Sequence, residues 1–143
     1  MPLNFDGPVL VPAADPEDGK RTASALASRL DPDTTVIVIH VIEKGGGSPD
    51  KAPLAGRQDY AKEVFQAART ELEPTGATVE TEIHYGTDVI DTIYDAAEEY
   101  DAEGVVFLPR RANRLLEMLS GDHSRRLIKE ARSPVLVLPV ESD

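Results

Sequence analysis

Short apolar runs alternate with helical repeats of apolar residues along the chain, and this alternation restricts the fold more than any other feature. The apolar runs occupy residues 7–14, 34–43, 77–86, 103–109 and 133–140. Between them, apolar residues recur at i, i+3, i+4 and i+7, as in Ala23, Leu26, Ala27 and Leu30, which is the spacing of one helix face. Five predicted strands that alternate with four predicted helices indicate an α/β fold, in which helices cover both faces of a parallel sheet.

The predicted strands differ in how much of their surface is apolar. Residues 34–43 include "TTVIVIHVI", which is apolar on both faces, as is typical of a central parallel strand. In residues 77–86, Val79 and Ile83 alternate with Glu80 and Glu82, so this strand is expected at a half-exposed edge. The first helix is expected to end at Pro32.

Composition excludes several classes of function. At 143 residues the chain predicts a single domain, residues 1–143, and its net charge of −11 argues against binding to nucleic acids or anionic membranes. It has no cysteine, and neither His84 nor His123 has a second histidine at metal-binding spacing, so no metal site is predicted. The longest uncharged apolar run is nine residues, too short for membrane insertion, and no signal peptide is apparent. We therefore expect a cytoplasmic protein.

The acidic surface also carries few lysines, since the chain has 5 Lys against 10 Arg. A large net charge is tolerated where salt screens it, and at 1 M salt the Debye length is about 3 Å. This composition predicts a protein from a halophilic archaeon or bacterium.

Positive charge is concentrated between residues 105 and 132. This segment has seven basic residues, namely Arg110, Arg111, Arg114, Arg125, Arg126, Lys129 and Arg132, against three acidic ones. Either the segment holds an anion, or its arginines pair with neighbouring carboxylates. It follows the fourth predicted strand, so it would meet residues 12–16 and 41–47 at the carboxyl edge of the sheet, where such folds bind ligands.

Some polar residues have structural interpretations. His40 is expected to be a neutral, hydrogen-bonded core histidine, and Asp122 is expected to cap a helix. Asp88, Asp91 and Asp95 form an i, i+3, i+7 row that is typical of a solvated helix face.

The order and spacing of the elements, together with the ending "GDHSRRLIKEARSPVLVLP", resemble the universal stress protein family. The resemblance covers nearly the whole chain. It implies a Rossmann-like, adenine nucleotide alpha hydrolase-like sheet in the order 3-2-1-4-5. It also implies a homodimer through residues 134–140, a final strand whose apolar edge would otherwise be exposed.

The nucleotide-binding members of this family carry G-x2-G-x9-G-[S/T] after the fourth strand. When the last glycine is placed on Gly121, the first two glycine positions fall on Leu108 and Arg111, and the Ser/Thr position falls on Asp122. Ser124 matches a serine that often follows. Leu108 and Arg111 carry side chains at positions where glycine would let the backbone approach a phosphate. The carboxylate of Asp122 would repel the phosphate.

The resemblance also places the adenine end of the site. Ala14 stands where ATP-binding members usually have an aspartate that contacts the base, and Asp15 is one residue away, within reach of a shifted turn. Val41 fits the apolar surface that meets the base, and arginines can hold a phosphate without backbone amides. The candidate site residues are Pro12, Ala14, Val41, Arg110, Arg111, Gly121, Asp122 and Ser124.

These features predict a regulatory stress-adaptation domain that acts as a homodimer, is not an enzyme beyond slow ATP hydrolysis at most, and binds ATP weakly or not at all. A protein or a transporter is the candidate partner. The alternative is a switch that binds ATP or AMP. A third class, a receiver or hydrolase, is disfavoured because the segments "HYGTD" and "LPVESD", at the places where a receiver needs its aspartate and its lysine, contain no lysine. In addition, no G-x-S-x-G or G-x4-G-K-[ST] motif occurs.

Overall fold

The computed structural model of the protein describes residues 5–44, 54–109 and 123–139. The strands are β1 (Val9–Pro12), β2 (Thr35–Glu43), β3 (Thr78–Gly86), β4 (Gly104–Phe107) and β5 (Val135–Val137). The helices are α1 (Pro16–Ala27), α2 (Leu54–Leu72) and α3 (Val89–Glu99), and a 3-10 turn, Glu73–Thr75, follows α2. Residues 123–129 are also helical and are called α4.

The strands form one five-stranded sheet in the order β3-β2-β1-β4-β5, with every neighbouring pair parallel. This confirms the predicted fold and the edge position of β3. The central strand, β1, pairs with β2 at Val9–Val36 and with β4 at Val9–Gly104. The chain therefore winds outward from β1 in both directions, which opens a crevice at its carboxyl end.

Alternate residues of the central strands feed two separate apolar cores. Val36 and Val38 pack into the core beneath α1 and α2. Ile37 and Ile39 pack into the core beneath α3, to which Leu127 of α4 also belongs. Because side chains alternate between the faces of a strand, β2 needs to be apolar throughout, as its sequence predicts.

Helix α1 ends earlier than the sequence predicts. Its N-cap is Asp15, whose Oδ1 accepts a hydrogen bond of 2.7 Å from the backbone N–H of Asp18. The helix stops at Ala27 rather than continuing to Pro32, because the Ser28 hydroxyl donates to the Ala25 carbonyl at 3.0 Å and the chain turns there. A serine that bonds to the backbone in this way competes with the helix.

The junction between β3 and α3 requires a glycine. A Cβ atom on Gly86 would lie 2.0 Å from Oγ1 of Thr92, much closer than van der Waals contact. Thr92 in turn donates its hydroxyl to the Asp88 carbonyl at 2.7 Å. This close approach sets the start of α3, which lines the site described below.

Across the three described ranges, no helix is both long enough and apolar enough to cross a membrane.

Candidate ligand-binding site

A cavity of about 450 Å³ lies at the carboxyl ends of β1, β2 and β4. This is the topological switch point of the sheet, and the volume falls in the range of small-molecule sites. We call one side the sheet wall, formed by Pro12, Ala13, Ala14, Asp18, His40, Val41 and Glu43. We call the other side the helix wall, formed by Val89, Ile90, Ile93, His123, Ser124 and Leu127. Phe107 and Leu108, at the end of β4, complete the lining.

The sheet wall is held by hydrogen bonds to the turn between β1 and α1. The N–H of Ala13 donates to the Ile39 carbonyl at 2.9 Å, and Nδ1 of His40 lies 2.8 Å from the Ala13 carbonyl oxygen. The N–H of Ala14 donates to Oδ2 of Asp18 at 2.9 Å. The backbone of the turn is therefore fixed from both β2 and α1.

His40 is buried and hydrogen-bonded, which confirms the prediction of a core histidine. Its ring also packs edge-on against Tyr60 of α2, with the ring centroids 5.9 Å apart. The structure adds that His40 lines the cavity, which its position in an apolar strand did not indicate.

The helix wall is held by side chains that tie α3 to α4. The hydroxyl of Tyr94, which is fully buried, donates to the Leu127 carbonyl. Burial raises the pKa of Tyr94, so the hydroxyl keeps the proton that it donates. Nη2 of Arg126 lies 3.1 and 3.0 Å from the two carboxylate oxygens of Asp88, and its Nε lies 2.8 Å from Glu130.

The acidic row on α3 is a solvated face, as predicted, with the side chains of Asp91 and Asp95 66% and 70% exposed, and it also forms ion pairs. In addition to the Arg126–Asp88 pair, Nη2 of Arg132 lies 2.6 Å from Asp95 and 3.0 Å from Glu98. The row acquires these partners because α4 and the segment before β5 pack beside α3, a neighbour that the helix's own sequence does not reveal. For Arg126 and Arg132, the concentration of positive charge therefore serves pairing with carboxylates.

These contacts shift the pKa values of both partners. The pKa of Asp88 is lowered, first by the hydrogen bond from the backbone N–H of Asp91, which Asp88 caps, and then by Arg126. The hydrogen bond from Arg126 lowers the pKa of Glu130. The carboxylates raise the pKa of Arg126 and of Arg132, so both guanidiniums remain charged.

Four of the eight predicted site residues meet at this cavity: Pro12, Ala14, Val41 and Ser124. The other four, Arg110, Arg111, Gly121 and Asp122, lie outside the described residues, as does the predicted helix-capping role of Asp122.

Asp15 does not replace the missing aspartate at position 14. Its side chain caps α1, and the carboxylate that lines the cavity beside Ala14 is that of Asp18. The signal for Asp18 was present in the sequence, because an acidic residue three positions after an N-cap commonly turns back toward the helix start.

Leu108, at the first glycine position of the motif, is a residue of the apolar core. It is 7% exposed and packs into the core shared with α1 and α2, besides lining the cavity. Replacing it by glycine would therefore remove a core side chain, at a cost of about 2–5 kcal/mol or more.

Within the ranges that the structure describes, no group of three or more histidine or acidic side chains could hold a metal ion. His84 is bonded through Nε2 to the Tyr100 hydroxyl at 2.8 Å. Burial, with Glu82 nearby, raises the pKa of Tyr100 to about 12.

A doubly wound parallel sheet with a ligand-sized cavity at its switch point defines a protein of the doubly wound α/β class, in which ligands bind at this position. A profile of the universal stress protein family matches residues 7–139, and the chain belongs to this family. No curated protein sequence gives a significant match.

Solved structures support the same fold. The universal stress protein from Archaeoglobus fulgidus has a TM-score of 0.70 and 23% identity, over 93% of this chain and 98% of that one. A structure of the A. fulgidus universal stress protein in complex with dAMP has a TM-score of 0.67 and 23% identity, over 95% of this chain and 100% of that one. A universal stress protein in complex with cAMP has a TM-score of 0.69 and 15% identity, over 96% of this chain and 100% of that one.

Proposed function

We propose that this protein is a non-enzymatic regulatory domain of stress adaptation, which acts as a homodimer in the cytoplasm and signals to a protein or a transporter. Its cavity binds the base and sugar of an adenine nucleotide weakly and has lost most of its selectivity for the triphosphate. The observation that carries this proposal is the chemistry of the cavity lining. Its described side chains are mostly apolar or acidic, which suits a base better than a phosphate chain.

The support for base binding is apolar surface at the switch point. Val41 from β2 faces the same cavity as Ile90 and Ile93 from α3 and Phe107 from β4. Such surfaces suit a flat heteroaromatic ring, with a few polar groups to orient it. Related proteins have been solved with dAMP and with cAMP, at identities that support the fold alone.

The support for weak phosphate binding is charge. The described lining of the cavity has two carboxylates, Asp18 and Glu43, and no lysine or arginine. Arg126 and Arg132 are paired with α3 and Glu130. At close range like charges repel by an amount that grows as water is excluded, so each added phosphate disfavours binding.

The alternative is a switch driven by ATP or AMP. Its specific support is Ser124, which lines the cavity in α4 where the family's phosphate loop leads into a helix. Calorimetry with ATP and AMP in molar KCl separates the two proposals. We expect undetectable ATP binding at micromolar concentration, and micromolar affinity for ATP would favour the switch.

Restoring the motif gives a sharper test. We expect Arg111→Gly with Asp122→Ser to improve ATP binding more than Ala14→Asp does, because the phosphate loop supplies most of the lost contacts. Leu108 should be kept, although the motif alone would suggest replacing it too, because it packs in the core. A larger gain from Ala14→Asp would contradict the proposal.

The homodimer is supported by the exposed surface near the β5 edge. Val137 on β5 is 41% exposed and Ile128 on α4 is 55% exposed. An apolar edge strand of this kind pairs readily with another chain. We expect light scattering to show a dimer at micromolar concentration in high salt, and Val137→Lys to give a monomer.

Tyr85→Lys is the matched control for the dimer. Tyr85 is 40% exposed on β3, at the opposite edge of the sheet, so the same substitution there should leave the dimer intact. A monomeric wild-type protein, or equal disruption by both variants, would remove the β5 interface from the proposal.

A halophilic origin also belongs to this proposal. A net charge of −11 per chain opposes folding and pairing until salt screens it. We expect the melting temperature to rise from low to molar KCl, and a flat or falling curve would count against this origin.

A further inference from the structure

His40 lines the cavity with a ring of which one nitrogen is bonded to no residue that the structure describes. The side chain is 8% exposed and lines the cavity from β2. Nδ1 is bonded to the Ala13 carbonyl, and Nε2 makes no hydrogen bond with any residue in the described part of the chain. A buried imidazole that uses only one of its two nitrogens has a polar atom left for a ligand.

The bond to Ala13 sets the tautomer of this ring. A carbonyl oxygen can only accept a hydrogen bond, so the proton lies on Nδ1. In the neutral ring Nε2 is then an acceptor. The ring position is further restricted by the edge-on contact with Tyr60. The fold thus holds Nε2 of His40 in one position as a hydrogen-bond acceptor.

The other polar side chains of the sheet wall are acceptors as well. An ionised carboxylate has no proton to donate, and the sheet wall contributes the carboxylates of Asp18 and Glu43. Asp18 is engaged by the N–H of Ala14. A ligand group that bonds to these side chains therefore has to be a hydrogen-bond donor, such as an amino group.

We propose that His40 is a specificity residue, whose Nε2 accepts a hydrogen bond from the exocyclic amino group of an adenine base. This inference rests on the proposed binding of an adenine nucleotide. It predicts selection of 6-aminopurines against 6-oxopurines, because an oxo group would bring its lone pairs against those of Nε2.

The test compares AMP with IMP, which differ at the 6-position of the purine. Ligand titrations followed by protein NMR in molar KCl reach the millimolar affinities that weak binding requires. We expect the wild-type protein to prefer AMP by roughly 3- to 10-fold, the value of one neutral hydrogen bond.

His40→Asn is the informative variant. The asparagine amide nitrogen takes about the place of Nδ1, so it can still donate to Ala13, while the acceptor at Nε2 is lost. We expect AMP to bind roughly 3- to 10-fold more weakly, IMP to be unchanged, and the preference to disappear. Glu43→Gln is the control for the charge of the wall and should keep the preference for AMP.

Each result is decisive. Equal binding of AMP and IMP by the wild-type protein would overturn the inference and leave the nucleotide site standing. A parallel loss of both ligands in His40→Asn would assign the histidine a structural role only. A preference for AMP over dAMP, without one over IMP, would assign the donor to the ribose. Absence of any binding at millimolar concentration would overturn the proposed function together with this inference.

Discussion

The two walls of the cavity are built from different interactions. In the sheet wall, main-chain groups of Ala13 and Ala14 make the hydrogen bonds that hold the turn to β2 and to Asp18. In the helix wall, side chains bridge residues 33 to 38 positions apart, as in Tyr94 to Leu127 and Arg126 to Asp88. One wall is continuous with the sheet, and the other is attached by a few side chains.

This difference indicates where the site can change. The sheet wall cannot move without disturbing the central strands, whose core residues, such as Val11 and Ile39, are fully buried. The helix wall depends on the ion pairs of Arg126 and Arg132 with α3 and on the hydroxyl of Tyr94, and partly exposed ion pairs contribute little individually. We therefore expect α4 to open before the sheet wall, by local unfolding that needs less free energy than global unfolding.

The largest expected effect is that of Tyr94→Phe. The change leaves the buried Leu127 carbonyl without its donor and should lower the free energy of unfolding by about 1–3 kcal/mol. Urea unfolding measures the change in the global free energy of unfolding. Hydrogen exchange should show a greater loss of protection in α4 than in β2. Tyr100→Phe, which removes a part-buried hydroxyl bonded to His84, is the control and should cost less. Equal loss of protection in both walls would break the comparison.

An intermediate effect is expected at Asp88, which both caps α3 and pairs with Arg126. Asp88→Ala removes both roles and should cost about 1 kcal/mol from the lost cap. Asp88→Asn keeps a capping oxygen and loses the charge. It should therefore lower the free energy of unfolding by less than Asp88→Ala, and this smaller loss measures the contribution of the ion pair. If the asparagine variant is as unstable as the alanine variant, the ion pair rather than the cap holds this end of the helix.

The smallest effect is expected from acid. The pKa values of Asp88 and Glu130 lie below their ordinary values of 3.8 and 4.5 in the folded protein. Their stabilisation is complete above those ordinary values and is lost as the pH falls through the lowered ones. The protection factors of amides in α4, relative to the intrinsic exchange rate at each pH, should therefore fall below about pH 4, and should fall less in Asp88→Asn. No difference between the two proteins in this range would exclude a contribution from Asp88.

Periodicity was sufficient for the architecture but not for the ends of the elements. The strand order and the edge position of β3 followed from the family resemblance and from the exposed Glu80 and Glu82. The end of α1 was missed because a side-chain bond from Ser28, rather than Pro32, stops the helix. Of the predicted site residues, Val41 and Ser124 line the cavity, and so does Asp18, which was not predicted as a site residue.

The sequence by itself determined the class of fold, because apolar periodicity is local and each strand or helix records which of its faces is buried. Tertiary structure alone decided the partners of the charges. Arg126 is bonded to Asp88, 38 residues earlier in the chain, because α4 packs beside α3. It also decided that His40 turns Nδ1 to the Ala13 carbonyl and lines a cavity. A residue type specifies what a side chain can bond to, but only the packing of distant segments brings one partner within reach.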